Sequence, residues 1–429
     1  MAILNRLTGL VNVGLRGSSL AFRFILSFYI IKYLGLEAAG IYGLALGAIG
    51  IAPAITTLGI NYFHARELVG MPPHLAAPRM KTRLLASTVV TALLAVGSLA
   101  TAIAVSYPIT PILILVAALV WLEIYANDMH VSLVALEMPF QANIVLFVRL
   151  AAWVPFVIGI GLLVPETRTI EFVLGGWLAS YVLYFALLWW FLRHWPLREA
   201  VRAPIQVPWL KERLKRSWLI YFSDIGLVGY IYVDRYIVSF MLGLELTGLY
   251  NFYWSLANAL QTLLATAIIQ LAMPTLYKAY NTGVIANWRT AMRRQIIKTA
   301  TYAGALGLCV YVAAEILIAF MDMGHVTEHR GVFIMLLVAA MIRSGSDLAN
   351  VGLMSVRMDR TYAFTNLASL LISAAVTFLF TALMGFPGVG IASLVTATIV
   401  TATKAGFLLR FAYGSQPAPA GSGGTGDPA

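Results

Sequence analysis

The chain has 429 residues, of which 60% are hydrophobic and only 11% are charged. Soluble domains carry about 25% charged residues, so this composition excludes an ordinary soluble protein and indicates a chain embedded in lipid. The single cysteine and the six scattered histidines disfavour a disulfide framework and a metal centre, and we expect no cofactor. The net charge of +11 is usual for a membrane protein with basic cytoplasmic loops, so we expect no nucleic-acid partner.

Twelve apolar segments follow one another along the sequence, each close to the roughly 20 residues that a helix needs to cross a bilayer. Their length argues against barrel strands, which are shorter and alternate with period two. We therefore predict an all-α polytopic membrane protein with about 12 transmembrane helices. The predicted spans are 9–31, 39–62, 83–106, 109–132, 142–164, 170–192, 217–240, 247–273, 298–320, 331–356, 362–385 and 388–411.

The distribution of Lys and Arg predicts the orientation of these spans. If the N-terminus is cytoplasmic, the loops on that side hold most of these cations, including Arg83 at the edge of the third span, whereas the opposite side holds only Lys32, Arg168 and Arg330. Cytoplasmic loops carry the excess of Lys and Arg, so we expect both termini in the cytoplasm. The first segment carries arginines and lacks a small-residue cleavage site, which disfavours a signal peptide.

One phrase occurs twice. Residues 34–43 read LGLEAAGIYG and residues 242–251 read LGLELTGLYN, each between the first and second helix of a six-helix set. Gly35 and Gly243 stand where a helix must end, and Glu37 and Glu245 stand where the next helix begins. A tight turn could reach this phrase by convergence, but we favour internal duplication.

Duplication predicts two pseudo-symmetric six-helix bundles of equal orientation. The predicted divisions are an N-terminal bundle over 1–192, a basic cytoplasmic linker over 193–216, a C-terminal bundle over 217–411 and a disordered cytoplasmic tail over 412–429. Two similar bundles are typical of alternating-access transporters, whose substrates bind between the bundles near the bilayer midplane.

Two longer stretches carry a family resemblance. YLGLEAAGIYGLALGAIGIAPAITTLGINYFHARE and YIYVDRYIVSFMLGLELTGLYNFYWSLANAL resemble helical hairpins of bacterial polysaccharide exporters. These are the oligosaccharide-lipid flippases of the multidrug/oligosaccharidyl-lipid/polysaccharide exporter superfamily. The resemblance implies a flippase of the bacterial inner membrane that moves an isoprenoid-diphosphate-linked oligosaccharide to the outer leaflet. It also implies contact with membrane lipids and with other polysaccharide-assembly membrane proteins. Multidrug exporters share this fold, and the related lipid II flippases have two further helices that are absent from the predicted spans.

Six cations, Arg235 among them, fall inside the predicted spans, where a charge costs at least about 2.5 kcal/mol. Arg16 and Arg23 lie seven residues apart and therefore share one face of the first helix. Guanidinium groups bind diphosphates bidentately, so we predict a diphosphate site with the following candidates: Arg23, Arg16, Arg149, Arg343 and Lys404. The alternative is that these cations reach the interface or pair with carboxylates, such as Glu123 or Asp128 for the first-half arginines and Asp347 for Arg343.

Acidic and aromatic residues of the spans supply further candidates. Proton or sodium coupling, or a structural salt bridge, is expected of four carboxylates: Asp224, Asp234, Asp128 and Asp347. Sugar contact is expected of Tyr232, Asn251 and Trp254, although interfacial belts use the same residue types. The basic stretches 193–216 and 289–298 resemble amphipathic helices on the inner leaflet, which anchor the chain or guide a diphosphate head.

Three classes of function compete on these residues. The predicted outer loops are short and carry no nucleophile and base, which argues against a polysaccharide polymerase or ligase, and we expect no enzyme. An ion-coupled antiporter for drugs or other small molecules stays an alternative. The number of cations in the spans favours an anionic substrate over cationic drugs.

Overall fold

The described part of the chain is almost entirely helical. The computed structural model describes residues 2–106, 108–321 and 323–413, with side chains from residue 14 onward except at 16 and 325. No strand occurs among these residues, which confirms the predicted all-α fold.

The first half of the chain forms a run of helices joined by short turns. In chain order they are α1 (Ala2–Tyr29), α2 (Leu36–Thr56), α3 (Ile60–Leu68), α4 (Pro73–Ala104), α5 (Pro111–Ala135), α6 (Pro139–Phe147), α7 (Val154–Leu163) and α8 (Ile170–Leu192). A π turn at Val148–Ala152 joins α6 to α7, so these two helices make one span.

The second half repeats the arrangement after a short linking helix. In chain order its helices are α9 (Leu197–Arg202), α10 (Val207–Leu242), α11 (Leu244–Leu264), α12 (Gln270–Asn281), α13 (Ile285–Phe320), α14 (Arg330–Ser355), α15 (Asp359–Met384) and α16 (Phe386–Tyr413). Among the described residues, 11 helical segments are long and apolar enough to cross a membrane. They match eleven of the predicted spans, and α1 occupies the twelfth.

The largest differences from the predicted spans lie at three helix starts. Helices α4, α10 and α13 begin at Pro73, Val207 and Ile285, well before the predicted 83, 217 and 298. Their first turns are amphipathic and charged, so they lie outside any apolar window although the helix continues through them. Arg83, which we expected in a loop, is therefore inside α4.

The repeated phrase forms the same turn in both halves. Gly35 has φ +91° and Gly243 has φ +84°, a backbone region that favours glycine. Glu37 and Glu245 lie in the first turns of α2 and α11, where a carboxylate is stabilised by the helix N-terminus. The predicted roles of these residues in helix termination and initiation are confirmed.

The two copies of the phrase also pack against each other. A Cβ atom on Gly40 of α2 would overlap the carbonyl oxygen of Leu244, and a Cβ atom on Gly248 of α11 would overlap the carbonyl oxygen of Leu36. In the repeat, Gly40 corresponds to Gly248 and Leu36 to Leu244, so one contact occurs twice across a pseudo-two-fold axis. We call these four residues the glycine crossing. Small residues permit such close helix contact within membranes.

The linking segment docks on the first half. Lys81 Nζ donates a hydrogen bond to the Val201 carbonyl oxygen at 2.9 Å, and the Gln206 backbone N–H donates to Thr82 Oγ1 at 3.2 Å. The predicted end of the linker at residue 216 falls within helix α10, which is continuous from Val207 to Leu242. The division of the chain into domains stays a prediction. Of the predicted tail, residues 414–429 lie outside the described residues.

A charged cluster strengthens this docking. Glu67 of α3 accepts hydrogen bonds from Arg79 Nη1 and from Trp209 Nε1, both at 2.6 Å. Its other carboxylate oxygen lies 2.7 Å from Arg213 Nε of α10. We call Glu67, Arg79, Trp209 and Arg213 the Glu67 clamp, and it attaches the start of α10 to α3 and α4.

Candidate functional site

Arg235 of α10 lies in the contact between the two halves. Its side chain is 1% exposed, and its Nη1 donates a hydrogen bond to the Gly43 carbonyl oxygen of α2 at 2.9 Å. Its guanidinium carbon lies 4.8 Å and 4.4 Å from the ring centroids of Tyr232 and Trp254, within the range of cation–π attraction. Its Nε and Nη2 have no hydrogen-bond partner in the described part of the chain, so two rings and one carbonyl stabilise this charge.

Glycines of α2 make room for α10. A Cβ atom on Gly47 would lie 2.8 Å from the Tyr236 hydroxyl oxygen, and one on Gly50 would lie 2.6 Å from the Tyr232 ring. The Tyr236 hydroxyl donates a hydrogen bond to the Leu44 carbonyl oxygen at 3.0 Å. The aromatic face of α10 is therefore seated directly on the backbone of the other half.

Asn251 of α11 joins this cluster. Its side chain is buried, and its Oδ1 has no partner among the described residues. A Cβ atom on Gly43 would lie 2.6 Å from the Asn251 Cγ atom. Thus Tyr232, Asn251 and Trp254, which the sequence grouped as sugar contacts, lie close together around Arg235. The sequence identified Arg235 as an intramembrane cation but did not include it in the site.

Arg23 of α1 lies beside α2 of the same half. It is half-buried, lies beside the hydroxyl of Tyr42 of α2 and forms no ion pair with a described residue. Helix α1 also touches the second half, where the Phe28 and Phe252 rings meet edge to face with centroids 5.0 Å apart. The Arg16 side chain lies outside the described residues.

Arg343 of α14 contributes a third cation. Its guanidinium carbon lies 4.6 Å from the Tyr230 ring centroid, and it lines a small cavity together with Trp254 and Gln261. The predicted alternative, pairing with Asp347, is absent from the described ion pairs, because Asp347 accepts a hydrogen bond from Gln261 Nε2 at 2.7 Å instead. An arginine that precedes its acid by four residues is the less favourable helix order.

Asp234 of α10 is buried without a cationic partner among the described residues. It accepts hydrogen bonds from Ser373 Oγ at 2.9 Å, Thr377 Oγ1 at 3.2 Å and the Tyr250 hydroxyl at 3.0 Å. Three hydroxyl donors satisfy the carboxylate without neutralising it. Asp234 and Arg235 therefore face different surroundings, because adjacent residues of a helix point in different directions.

Lys404 lies within the second bundle rather than at the cluster around Arg235. It is 2% exposed, and its Nζ donates a hydrogen bond to Asn366 Oδ1 at 2.9 Å. Asn366 Nδ2 donates in turn to Ser223 Oγ at 3.2 Å. Asp224, the residue after Ser223, is partly buried beside Tyr362. This polar group connects α10, α15 and α16.

Arg149 is paired inside the first bundle. Its Nη1 lies 3.3 Å from Glu123 Oε1, and the Tyr181 hydroxyl donates to Glu123 Oε2 at 2.5 Å. This is the carboxylate pairing that the sequence offered as the alternative to diphosphate binding. The structure therefore separates Arg149 from the unpaired Arg23, Arg235 and Arg343.

Asp128 lies in a second buried network, where it forms the structural salt bridge that the sequence offered as one alternative, with Arg83 as a partner that the sequence did not predict. Arg83 Nη2 lies 3.2 Å from Asp128 Oδ1, and both side chains are 1% exposed. Asn61 Nδ2 and Ser87 Oγ donate to the same carboxylate at 3.0 Å and 2.5 Å. The four-residue spacing of Arg83 and Ser87 places both on one helix face and could have indicated this network. It was missed because Arg83 was assigned to a loop.

His64 of α3 adjoins this network, outside the spanning segments. It is fully buried, and its Nε2 lies 3.1 Å from Ser132 Oγ. Burial, reinforced by the charges of Arg83 and Arg79, lowers the pKa of His64 from 6.5 to about 3. The ring is therefore neutral in the folded protein at neutral pH.

The described residues contain no group of three or more His, Cys, Asp or Glu side chains that could hold a metal ion. The arrangement instead offers Arg235 with its two aromatic rings where the halves meet, and the unpaired Arg23 and Arg343 within the first and second half. Such a surface can bind an anion and stack on planar or ring-shaped groups.

Solved structures with the same fold are membrane transporters. No protein-family model and no curated sequence matches the chain. An inward-facing multidrug resistance MATE family transporter of the MOP superfamily aligns with a TM-score of 0.71 at 12% identity, covering 93% of this chain and 96% of that one. The lipid II flippase MurJ, in an inward closed conformation, aligns with a TM-score of 0.71 at 10% identity, covering 93% and 87%.

An outward-facing MATE structure aligns less closely, with a TM-score of 0.57 at 13% identity, covering 95% of this chain and 94% of that one. These identities are low, so the similarity concerns the fold. The chain is a multi-pass membrane protein with the two-bundle fold that MATE transporters and the MurJ flippase of the MOP superfamily share.

Proposed function

We propose that the chain is a flippase that moves an isoprenoid-diphosphate-linked oligosaccharide across the bacterial inner membrane for surface polysaccharide export. The proposal includes cytoplasmic termini and alternating access between the two halves. The fold shared with MurJ, a lipid II flippase, is compatible with a lipid-linked substrate.

One observation carries the proposal: the buried and half-buried arginines of these helices fall into two groups. Arg83 and Arg149 have carboxylate partners at 3.2 Å and 3.3 Å. Arg23, Arg235 and Arg343 have none among the described residues. Unpaired charge inside a membrane protein is costly and is typical of a substrate pathway.

The aromatic neighbours of these arginines support a glycan-bearing substrate. Tyr232 and Trp254 flank Arg235, and Tyr230 lies under Arg343. When α2 and α10 separate, Arg235 loses the Gly43 carbonyl and gains access to the space between the halves. A diphosphate would then supply the anionic charge, and the rings would offer faces for the sugars.

The test is leaflet exchange in liposomes. A fluorescent isoprenoid-diphosphate oligosaccharide is reconstituted with the protein, and a membrane-impermeant quencher reports its transfer. A hydrogen bond to a charged group is worth roughly 1.5–3 kcal/mol, so Arg23→Ala or Arg343→Ala should slow exchange by about tenfold or more. The matched control is Arg330→Ala, because Arg330 is 49% exposed and pairs with Glu315. Equal rates for all these variants would contradict the diphosphate role.

A second function has its own support. Asp234 and Asp347 are held by hydroxyl and amide donors rather than by cations, which suits proton or sodium coupling, and MATE structures share the fold. An antiporter for drugs or other small molecules would therefore show efflux driven by an ion gradient and lost in Asp234→Asn. Ion-driven efflux of a small amphiphile without lipid exchange would favour this reading over the flippase.

A further inference from the structure

A groove between α13, α14 and α16 combines an apolar floor with a basic mouth. It has a volume of about 500 Å³, within the roughly 300–1,000 Å³ typical of small-molecule sites. Its lining along α13 runs from Trp288 to Ala300, a length of about 18 Å at roughly 1.5 Å per residue. Small residues, including Gly345 and Ala405, form part of the opposite wall.

Two arginines of α13 stand at the mouth. Arg289 and Arg293 both line the groove; they lie one turn apart on the same helix face. Arg289 donates to the Ala412 carbonyl oxygen and stacks on the Tyr413 ring, 4.5 Å from its centroid, which holds its guanidinium at this position.

These cations lack counter-ions. Arg289, Arg293, Arg294 and Lys298 form no ion pair with any residue that the structure describes, and Arg289 Nε is buried without a hydrogen-bond partner there. The site therefore carries uncompensated positive charge where the helix enters its apolar stretch.

A polar group lies deeper in the same groove. Thr299 lines it, is 3% exposed, and its hydroxyl has no hydrogen-bond partner in the described chain. Arg293 precedes Thr299 by about 9 Å along the helix axis. A phospholipid has this order of groups: an anionic phosphate, then ester carbonyls that accept a hydrogen bond, then an acyl chain.

We propose that this groove binds one anionic glycerophospholipid, with its phosphate at Arg289 and Arg293, an ester carbonyl at Thr299 and an acyl chain along the apolar floor. The site lies outside the seam between the halves and does not depend on the proposed function. The chain after Tyr413 does not suit the groove, because residues 414–429 contain only Gly, Ser, Gln, Pro, Ala, Thr and Asp. An apolar groove with a cationic rim favours an anionic lipid, since each Lys or Arg near a lipid surface adds attraction.

The experiment titrates the detergent-solubilised full chain with phosphatidylglycerol or phosphatidylcholine and follows the first bound lipid by native mass spectrometry. We expect tighter binding of phosphatidylglycerol, weakened by about fivefold in Arg293→Ala and further in Arg289→Ala/Arg293→Ala. Arg294→Ala is the matched control, since Arg294 neighbours Arg293 but does not line this groove. Ala405→Phe should weaken the binding of both lipids, because the larger side chain narrows the groove from the wall opposite α13.

Three results would overturn the proposal. The first is equal affinity for both lipids in the native chain, and the second is an equal effect of Arg294→Ala and Arg293→Ala. The third is full displacement of phosphatidylglycerol by inorganic phosphate, which would identify a free-anion site. Arg293 is exposed, so its removal leaves the packed core intact, and Arg293→Glu provides a second variant that should abolish the preference.

Discussion

The glycine crossing permits a direct test of how the two halves meet. Replacing Gly40 and Gly248 together with alanine places a Cβ atom on each carbonyl oxygen of the opposing helix. A Cβ atom on Gly248 would also lie 2.9 Å from the Gly40 backbone nitrogen, and one on Gly40 would lie 3.3 Å from the Gly248 nitrogen. Because the obstructing atoms belong to helix backbones, they cannot rotate away, and α2 and α11 must separate.

The expected magnitude follows from the cost of overpacking. Such insertions cost roughly 1–3 kcal/mol each, and two equivalent sites give about 2–6 kcal/mol against the packed arrangement. Even the lower value changes the equilibrium between packed and separated helices by about 30-fold. We therefore expect the double variant to populate the separated arrangement.

Spin-label distances can measure this shift. Glu37 and Glu245 are exposed equivalents near the crossing, so Glu37→Cys and Glu245→Cys provide labels once Cys309, the single cysteine, is changed to serine. Gly40→Ala/Gly248→Ala should move the label-to-label distance to longer values. Gly304→Ala is the control, because a Cβ atom there meets nothing within 4 Å. An unchanged distance in the double variant would refute the packing argument.

Three further predictions concern the polar networks. Asp128→Asn should lower the free energy of unfolding in detergent by roughly 3–5 kcal/mol, because it leaves Arg83 buried without its counter-ion. The paired variant Arg83→Met/Asp128→Leu should recover most of this loss. If the paired variant recovers nothing, the ion pair does not explain the loss. His64 has a folded-state pKa of about 3 against an ordinary 6.5, so only the unfolded chain takes up the proton between these values. The unfolding temperature should therefore be steady above about pH 6.5 and fall towards about pH 5, and His64→Gln should flatten this dependence. Glu67→Gln should speed hydrogen exchange in the first turns of α10, whereas Glu212→Gln, at a side chain 48% exposed, should not. Equal exchange rates in the two variants would show that the Glu67 clamp does not hold the start of α10.

The helix plan was predictable because its signal is simple. A bilayer imposes a fixed length on apolar segments, and the turn glycines Gly35 and Gly243 need a positive φ that few other residues adopt. The starts of α4, α10 and α13 were not predictable from hydropathy, because their first turns are helical but lie outside the apolar stretch. That error placed Arg83 in a loop and concealed its pairing with Asp128.

The sequence identified most residues of the site but not which of its cations have a carboxylate partner. Cations inside apolar segments are visible in a sequence, and Tyr232, Asn251 and Trp254 do gather at one place. Which cation has a counter-ion depends on contacts between distant segments, such as Arg149 with Glu123, and no local spacing reports these. Whether the unpaired cations bind a diphosphate stays a prediction for the exchange assay.

Helix α10 is one long helix that is attached to the other half at two points. The Glu67 clamp holds its start, the contact of Arg235 with Gly43 holds its far part, and it packs along α15 between them. Helix α10 is about 40 Å long between Arg213 and Phe240. A tilt of this helix by about 10° about the Glu67 clamp would therefore displace its far end by about 7 Å. Rotation about one attachment thus opens the contact at the other, so a single long helix couples the two ends of the contact between the halves.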